Sequence, residues 1–335
     1  MAAVLVSCFM IFVVLLLGEA YCRYFTTITF LESTRELFVP NVYGKSWGNK
    51  PNFEGFSFGR KFHIDAEGFR TNPQSGSAAL PVDAPALLVV GDSVTFGAGV
   101  EDSETIPEYL RQNIPNHRLY NASAMGYDTH DYKNVIDKLL KQKPGIQTVA
   151  IFYCLNDIKD VSATQIRLAT SSDEIPDAEP DKKSFVHKIN QFLRSRSKLY
   201  LWFKGAVRDS QLIYFHEDIK YYYDDQSVKF GLEPLAEIKR SLDEAGVKLK
   251  VFVVPYEAQL RPESPDEFLM PQRMVSRFLE SNNIDYYDTT PDFKKAGPSK
   301  ALYIFGDPVH LTAEGNKIAA AAACRNLREI CSAKQ

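Results

Sequence analysis

The stretch Leu87-Leu88-Val89-Val90-Gly91-Asp92-Ser93-Val94-Thr95-Phe96-Gly97 limits the possible folds more than any other part of the chain. An unbroken apolar run that stops at a glycine, an acid and a hydroxyl reads as a strand buried on both faces, carrying a serine to the carboxyl end of a sheet. Open α/β sheets hold their ligands at that end. Alone, a serine in a strand-to-helix loop is an ordinary cap or turn former.

The elements that follow keep the alternation going. A helix is expected over Thr105 to Gln112, a short strand over Arg118 to Asn121, an amphipathic helix over Thr129 to Lys143 closed by Pro144-Gly145, and an apolar strand over Thr148 to Tyr153. Further on come a helix over Glu233 to Glu244, a strand over Val247 to Val254, a helix over Pro271 to Ser281, a short strand over Ile284 to Asp288 and a last helix from Ala313 to about Ile330. Strands alternating with helices imply a parallel sheet with right-handed crossovers. The expected fold class is therefore α/β: three layers, flavodoxin-like, with a five-stranded parallel sheet in the order 2-1-3-4-5. That order sets the ends of the first three strands side by side.

Asp307-Pro308-Val309-His310 lies just before the last helix, and Thr312 reads as that helix's N-cap. An Asp and a His three apart in a turn can hold an imidazole in one tautomer beside a hydroxyl, which is the acyl-transfer arrangement of nucleophile, base and orienting carboxylate. A lone histidine is more often structural; the acid three residues before it changes that reading.

Gly91-Asp92-Ser93, Gly126 within Asn121-Ala122-Ser123-Ala124-Met125-Gly126-Tyr127, Asn156-Asp157 after the third strand, and Asp307-x-x-His310 together resemble the four sequence blocks of the SGNH (GDSL-type) hydrolases, in that family's order. The resemblance covers about residues 60 to 332. It implies Ser93, His310 and Asp307 as the catalytic residues, and the backbone N–H groups of Ser93 and Gly126 with the Asn156 amide as the oxyanion hole. It implies neither metal nor cofactor. Asp92 is expected to support the nucleophile loop. In one place the chain departs from the pattern: Cys154 stands where the third block usually has glycine, which leaves the aim of Asn156 open.

The chain starts with Ala2 to Gly18, without a charge or a proline. As a helix this run spans about 25 Å, slightly short of the ~30 Å hydrocarbon core, and Tyr21, Tyr24 and Phe25 can extend it as an interfacial belt. Residues 1–25 are expected to be a transmembrane anchor, with a cleaved signal segment as the rival; the basic start of a signal peptide is missing. The anchored reading puts the catalytic domain outside the cytoplasm, and cleavage would make it secreted. Residues 26–84 are expected as a linker with short strands around Lys61 to Thr71, in which Ile64 to Arg70 resembles a segment found upstream of the first block in membrane-attached family members, placing Arg70 at the rim of the site. Residues 85–335 form the hydrolase domain, with an insertion at about 161–230.

That insertion reads as an acidic part, Ser171 to Lys182, then a helical part with Phe185, Phe192, Leu199, Trp202, Phe203, Ile213, Tyr214 and Phe215. The helical part is read as a cap over the site, with packing on the sheet and contact with the bilayer as the alternatives. Tyr221-Tyr222-Tyr223 is a candidate lining for a carbohydrate groove. Cys324 and Cys331 are too far apart for a bridge on one continuous helix, about 10 Å along its axis, unless the helix ends between them. A net charge of −3 gives no electrostatic footprint for nucleic acid.

These features together lead to an expected serine esterase or O-acyltransferase on an O-acetylated glycan, with a lipase or thioesterase as the alternative. A catalytically idle glycan-binding module is the reading from another class. It has no need of Ser93, Asn156, Asp307 and His310 together.

Overall fold

The computed structural model describes residues 1–26, 28, 35–75, 80–159, 189, 192–193, 196–207 and 209–331. The chain opens with helix α1 (Ala2–Phe25). Its stretch Ala3–Phe25 contains an 18-residue window with a mean hydropathy of 2.5 and is long and apolar enough to cross a membrane. Two small antiparallel units follow: the pair β1 (Phe38–Tyr43) and β2 (Ser46–Asn49), and the three-stranded sheet β3 (Glu54–Ser57), β4 (Arg60–Ile64) and β5 (Arg70–Thr71). Both are packed on the rest of the chain. Trp47 is buried against Tyr127, whose hydroxyl donates to the Trp47 carbonyl at 2.5 Å.

The central sheet begins with β6 (Ala86–Gly91), every residue of which is buried, as an apolar strand covered on both faces must be. It continues through helices α2 (Ser93–Phe96) and α3 (Ile106–Arg111), strand β7 (Arg118–Asn121), helix α4 (Thr129–Gln142) and strand β8 (Ile146–Cys154). Helices α5 (Lys198–Val207), α6 (Ser210–Ile219) and α7 (Asp225–Glu244) lead to β9 (Lys248–Val254), α8 (Met270–Ser281) and β10 (Asp285–Asp288). Then come α9 (Thr290–Ala296), α10 (Ser299–Leu302) and α11 (Ala313–Asn326). The strands run parallel in the order β10-β9-β8-β6-β7. Counted along the chain from β6, this is the expected 2-1-3-4-5.

The ends of β6, β7 and β8 therefore lie side by side, as ligand binding at this edge requires. Helix α11 stops at Asn326, so Cys324 and Cys331 come within 5.5 Å between Cα atoms and form a disulfide. In the insertion, Phe185 and the acidic part Ser171 to Lys182 lie outside the described residues. Of the aromatic stripe, Phe215 is wholly buried, whereas Trp202, Phe203 and Tyr214 are exposed. The tyrosine run does not form a groove lining. Tyr222 is buried with its hydroxyl shared between Tyr153 and the Leu155 carbonyl, Tyr221 packs on the core, and Tyr223 alone of the three is exposed.

Candidate active site

The turn at the end of β6 depends on Gly91. A Cβ there would sit 1.9 Å from the Thr95 hydroxyl, so only glycine lets α2 fold back over the strand end. Asp92 caps α2, its Oδ1 accepting the Val94 N–H at 2.9 Å. Ser93 is the first residue of α2 and follows directly from the buried strand.

His310 reaches Ser93 from the loop between α10 and α11. Asp307 shapes that loop: its Oδ1 accepts the N–H groups of Val309 at 2.9 Å and His310 at 2.7 Å. Its Oδ2 faces Nδ1 of the imidazole at 2.8 Å. The His310 carbonyl accepts the Ile304 N–H at 2.9 Å, and Thr312 caps α11 by accepting the Gly315 N–H. The other ring nitrogen, Nε2, lies 2.8 Å from Ser93 Oγ. A carboxylate accepts only, so it fixes the ring proton on Nδ1 and leaves Nε2 as the acceptor for the serine hydroxyl.

Burial alone would raise the Asp307 pKa, but the His310 imidazole and the two backbone N–H groups outweigh it, and the carboxyl is held below its ordinary value. Burial alone would lower His310; the hydrogen-bonded Asp307 carboxylate outweighs it, with Asp92 adding to the effect, and the imidazole is raised above its ordinary value. The pair is thus an ionised acid holding a base of increased strength.

Asn156 lies in a 3₁₀ turn, Leu155–Ile158, at the end of β8. Its Nδ2 donates to Asp92 Oδ2 at 3.1 Å, while the Ser93 hydroxyl lies 3.4 Å from the same oxygen. Burial raises the Asp92 pKa, against the pull of these donors. Cys154, in the glycine position, has extended backbone (φ −104°, ψ 151°) that any residue adopts, and its N–H donates to Asp157 Oδ2 at 2.7 Å. The substitution therefore leaves the turn intact. Burial pushes the Cys154 thiol well above its ordinary value, so it is a poor nucleophile. Gly126 sits in the loop after β7 with φ +79°, a conformation that favours glycine. That loop is tied to the Ser93 turn by the Ala124 N–H donating to the Gly91 carbonyl at 3.3 Å.

Arg70 is not at the rim. It is buried, donating to Asp102 at 2.9 Å and to the carbonyls of Phe96, Gly97 and Val100 at 2.6 to 2.8 Å. It clamps the segment that follows α2 and touches none of the reacting groups. On the opposite side, the described part of the insertion meets the Asp307 loop. Ser210 Oγ donates to the Gly306 carbonyl at 3.1 Å, and Gln211 Nε2 to the Asp307 carbonyl at 2.9 Å. Phe58 was not singled out in the sequence; its ring packs on the His310 imidazole with centroids 5.1 Å apart. Among the described residues no cluster of His, Cys, Asp and Glu could hold a metal ion.

A hydroxyl hydrogen-bonded to an oriented base can form an acyl-enzyme when an ester carbonyl is brought to it. A family model described as GDSL-like lipase/acylhydrolase matches residues 89–318. No curated protein matches the sequence. Among solved structures, the chain is similar to a putative lipolytic protein of the G-D-S-L family from Desulfitobacterium hafniense (14% identity, TM-score 0.42, 72% of this chain and 99% of that one). It is also similar to a lipolytic G-D-S-L family member from Veillonella parvula (13%, 0.42, 73% and 99%) and to an acetylxylan esterase from Geobacillus stearothermophilus (16%, 0.41, 72% and 95%).

Proposed function

The chain belongs to the GDSL-like lipase/acylhydrolase family and is an ester-bond hydrolase, and from that premise we propose that it works through an acyl-enzyme on Ser93. The observation that carries this reading is the hydrogen-bond chain Ser93 Oγ to His310 Nε2 and His310 Nδ1 to Asp307, 2.8 Å at each link. In the first half-reaction Ser93 Oγ bonds to the ester carbonyl carbon while its proton passes to Nε2. The tetrahedral intermediate collapses, the C–O bond to the alcohol breaks, and the leaving oxygen takes the proton from Nε2. Water or a sugar hydroxyl then gives its proton to Nε2 and bonds to the acyl carbon; the acyl–Oγ bond breaks and Ser93 Oγ recovers the proton from Nε2, giving hydrolysis or transfer. Ser93 N–H, Gly126 N–H and the Asn156 amide are the proposed donors to the oxyanion.

The proposed substrate is an O-acyl group, acetyl first, on a glycan, acted on by an enzyme anchored through α1 with its catalytic domain outside the cytoplasm. The apolar length of α1 supports the anchor. The disulfide Cys324–Cys331 supports the oxidising side of the membrane. A second reading, an ester of a lipid, draws on the exposed apolar side chains of α5 and α6. Trp202, Phe203, Val207 and Tyr214 are exposed, as is Phe305, which lies against α5 beside Gly306 and Asp307.

Labelling with a fluorophosphonate tests the acyl-enzyme: wild type labels and Ser93→Ala does not. Unchanged labelling of Ser93→Ala removes Ser93 as nucleophile, and absence of labelling in wild type favours a binding module. A panel of acetylated sugars, short-chain esters, lipid esters and acyl-thioesters then separates the substrate classes.

A further inference from the structure

We propose that the β3–β4 hairpin, which lies outside the residues matched by the family model, completes the active site, and that Phe58 at its tip is a positioning residue for His310. This role rests on His310 being the base.

Ser57 pairs with Arg60, so the hairpin loop is the two residues Phe58 and Gly59. Both have positive φ, 50° and 73°, as the tight turn that matches strand twist requires. Asn, Asp or Gly normally fill the first of these places. A phenylalanine there is a steric outlier, because its Cβ crowds the backbone in the left-handed region. For turn formation alone, asparagine would serve better.

What the phenylalanine adds is its ring. It packs on the His310 imidazole, with centroids 5.1 Å apart and the rings tilted by 50°, while Nε2 of the same imidazole lies 2.8 Å from Ser93 Oγ. The turn is set in place by contacts well away from its tip. His63 Nδ1 and Arg70 Nε both bind Asp102, at 2.5 and 2.9 Å, and the Phe62 ring meets Phe96 edge-on at 5.2 Å. The hairpin is thus docked on the segment that follows the nucleophile helix, and a disfavoured backbone conformation persists where its surroundings over-determine it. Packed there, the ring limits rotation of the imidazole and keeps Nε2 aimed at the hydroxyl. Its π face also attracts the imidazolium that forms when Ser93 gives up its proton.

Phe58→Asn and Phe58→Tyr in the full-length chain, solubilised in detergent, test this. Turnover of a short-chain ester, the rate of Ser93 labelling by a fluorophosphonate and the melting temperature are measured together. Asparagine suits the left-handed turn, so Phe58→Asn is expected to melt no lower than wild type while kcat falls about tenfold with KM nearly unchanged. Phe58→Tyr, which restores a ring, is expected to return kcat to about wild type. A Phe58→Asn variant with wild-type kcat and labelling rate overturns the proposal. So does one whose activity falls only in step with its melting temperature, since that is the mark of a merely structural side chain. A wild type that neither labels nor turns over an ester removes the base role of His310, and this one with it.

Discussion

The Asn156 amide donates to the Asp92 carboxylate across 3.1 Å. An amide nitrogen carries two hydrogens, and anchoring one on a buried acid orients the other. Asp92 also caps α2, which begins at Ser93, so one carboxylate sets both the proposed nucleophile and a proposed oxyanion donor. Loss of a single such donor typically slows turnover by about 10²–10³. Asn156→Ala is expected to show a fall of about that size in kcat with KM little changed, measured by steady-state kinetics on the best ester of the panel. A variant at full rate would contradict the oxyanion role.

Asp307 raises the proton affinity of His310 above its ordinary value. As the proposed base, His310 must be neutral to accept the serine proton, so kcat/KM is expected to rise with pH as it deprotonates. Because the shift is upward, the midpoint of that rise lies above the ordinary imidazole value of about 6.5. Asp307→Asn removes the carboxylate that holds the imidazole protonated, and the same midpoint is expected to move downward. Its rate near neutrality should fall by about 10⁴, since the ring loses its fixed tautomer. A pH–rate profile of the two proteins checks both; coincident midpoints would mean that Asp307 does not set the base.

Arg70 is a buried cation with a full set of acceptors: Asp102 and three backbone carbonyls. Arg70→Ala leaves Asp102 with His63 as its remaining side-chain partner and strands those carbonyls in the interior. Breaking a buried pair in this way costs about 3–5 kcal/mol, and lysine, a point charge without the guanidinium fork, is expected to recover only part of it. Denaturant unfolding of the full-length chain in detergent measures the difference. A loss below about 1 kcal/mol would show that water or another side chain takes over these contacts.

The sheet was legible because its central strands β6, β8 and β9 are apolar on both faces and the strands alternate with amphipathic helices, from Leu87 through Asp288. The candidate site residues stood out where each lay at the end of such a strand or just before the last helix, as Ser93, Asn156 and His310 do. The pairs β1–β2 and β3–β4 were less so, since their strands are short and broken by Gly, Asn and Pro, leaving little periodicity. Tyr221, Tyr222 and Tyr223 were misread because they fall in a 3₁₀ turn, where three residues complete one revolution and neighbours face different ways. The tip Phe58-Gly59, with Phe58 half-buried, looks like any turn in the sequence; its meeting with His310 is a product of tertiary docking alone.

The end of α1 is fastened to the insertion rather than hanging free. The Glu19 carboxylate accepts the N–H groups of Lys198 and Leu199 at 3.1 and 3.0 Å and the Ser197 hydroxyl at 2.8 Å, so the proposed anchor caps α5 directly. If α1 spans a bilayer, the exposed side chains of α5 are held near its surface, where tryptophan is favoured. The chain has two tryptophans, and they differ sharply: Trp47 is 3% exposed and Trp202 is 44% exposed. In nanodiscs containing lipids brominated near the headgroup, part of the fluorescence of the full-length chain is expected to be quenched, and Trp202→Phe is expected to abolish that part. Emission indifferent to brominated lipid, in a chain that still fractionates with the membrane, would show that α5 faces water. A chain that stays soluble without detergent would instead remove the anchor itself, so the two failures are told apart in one preparation.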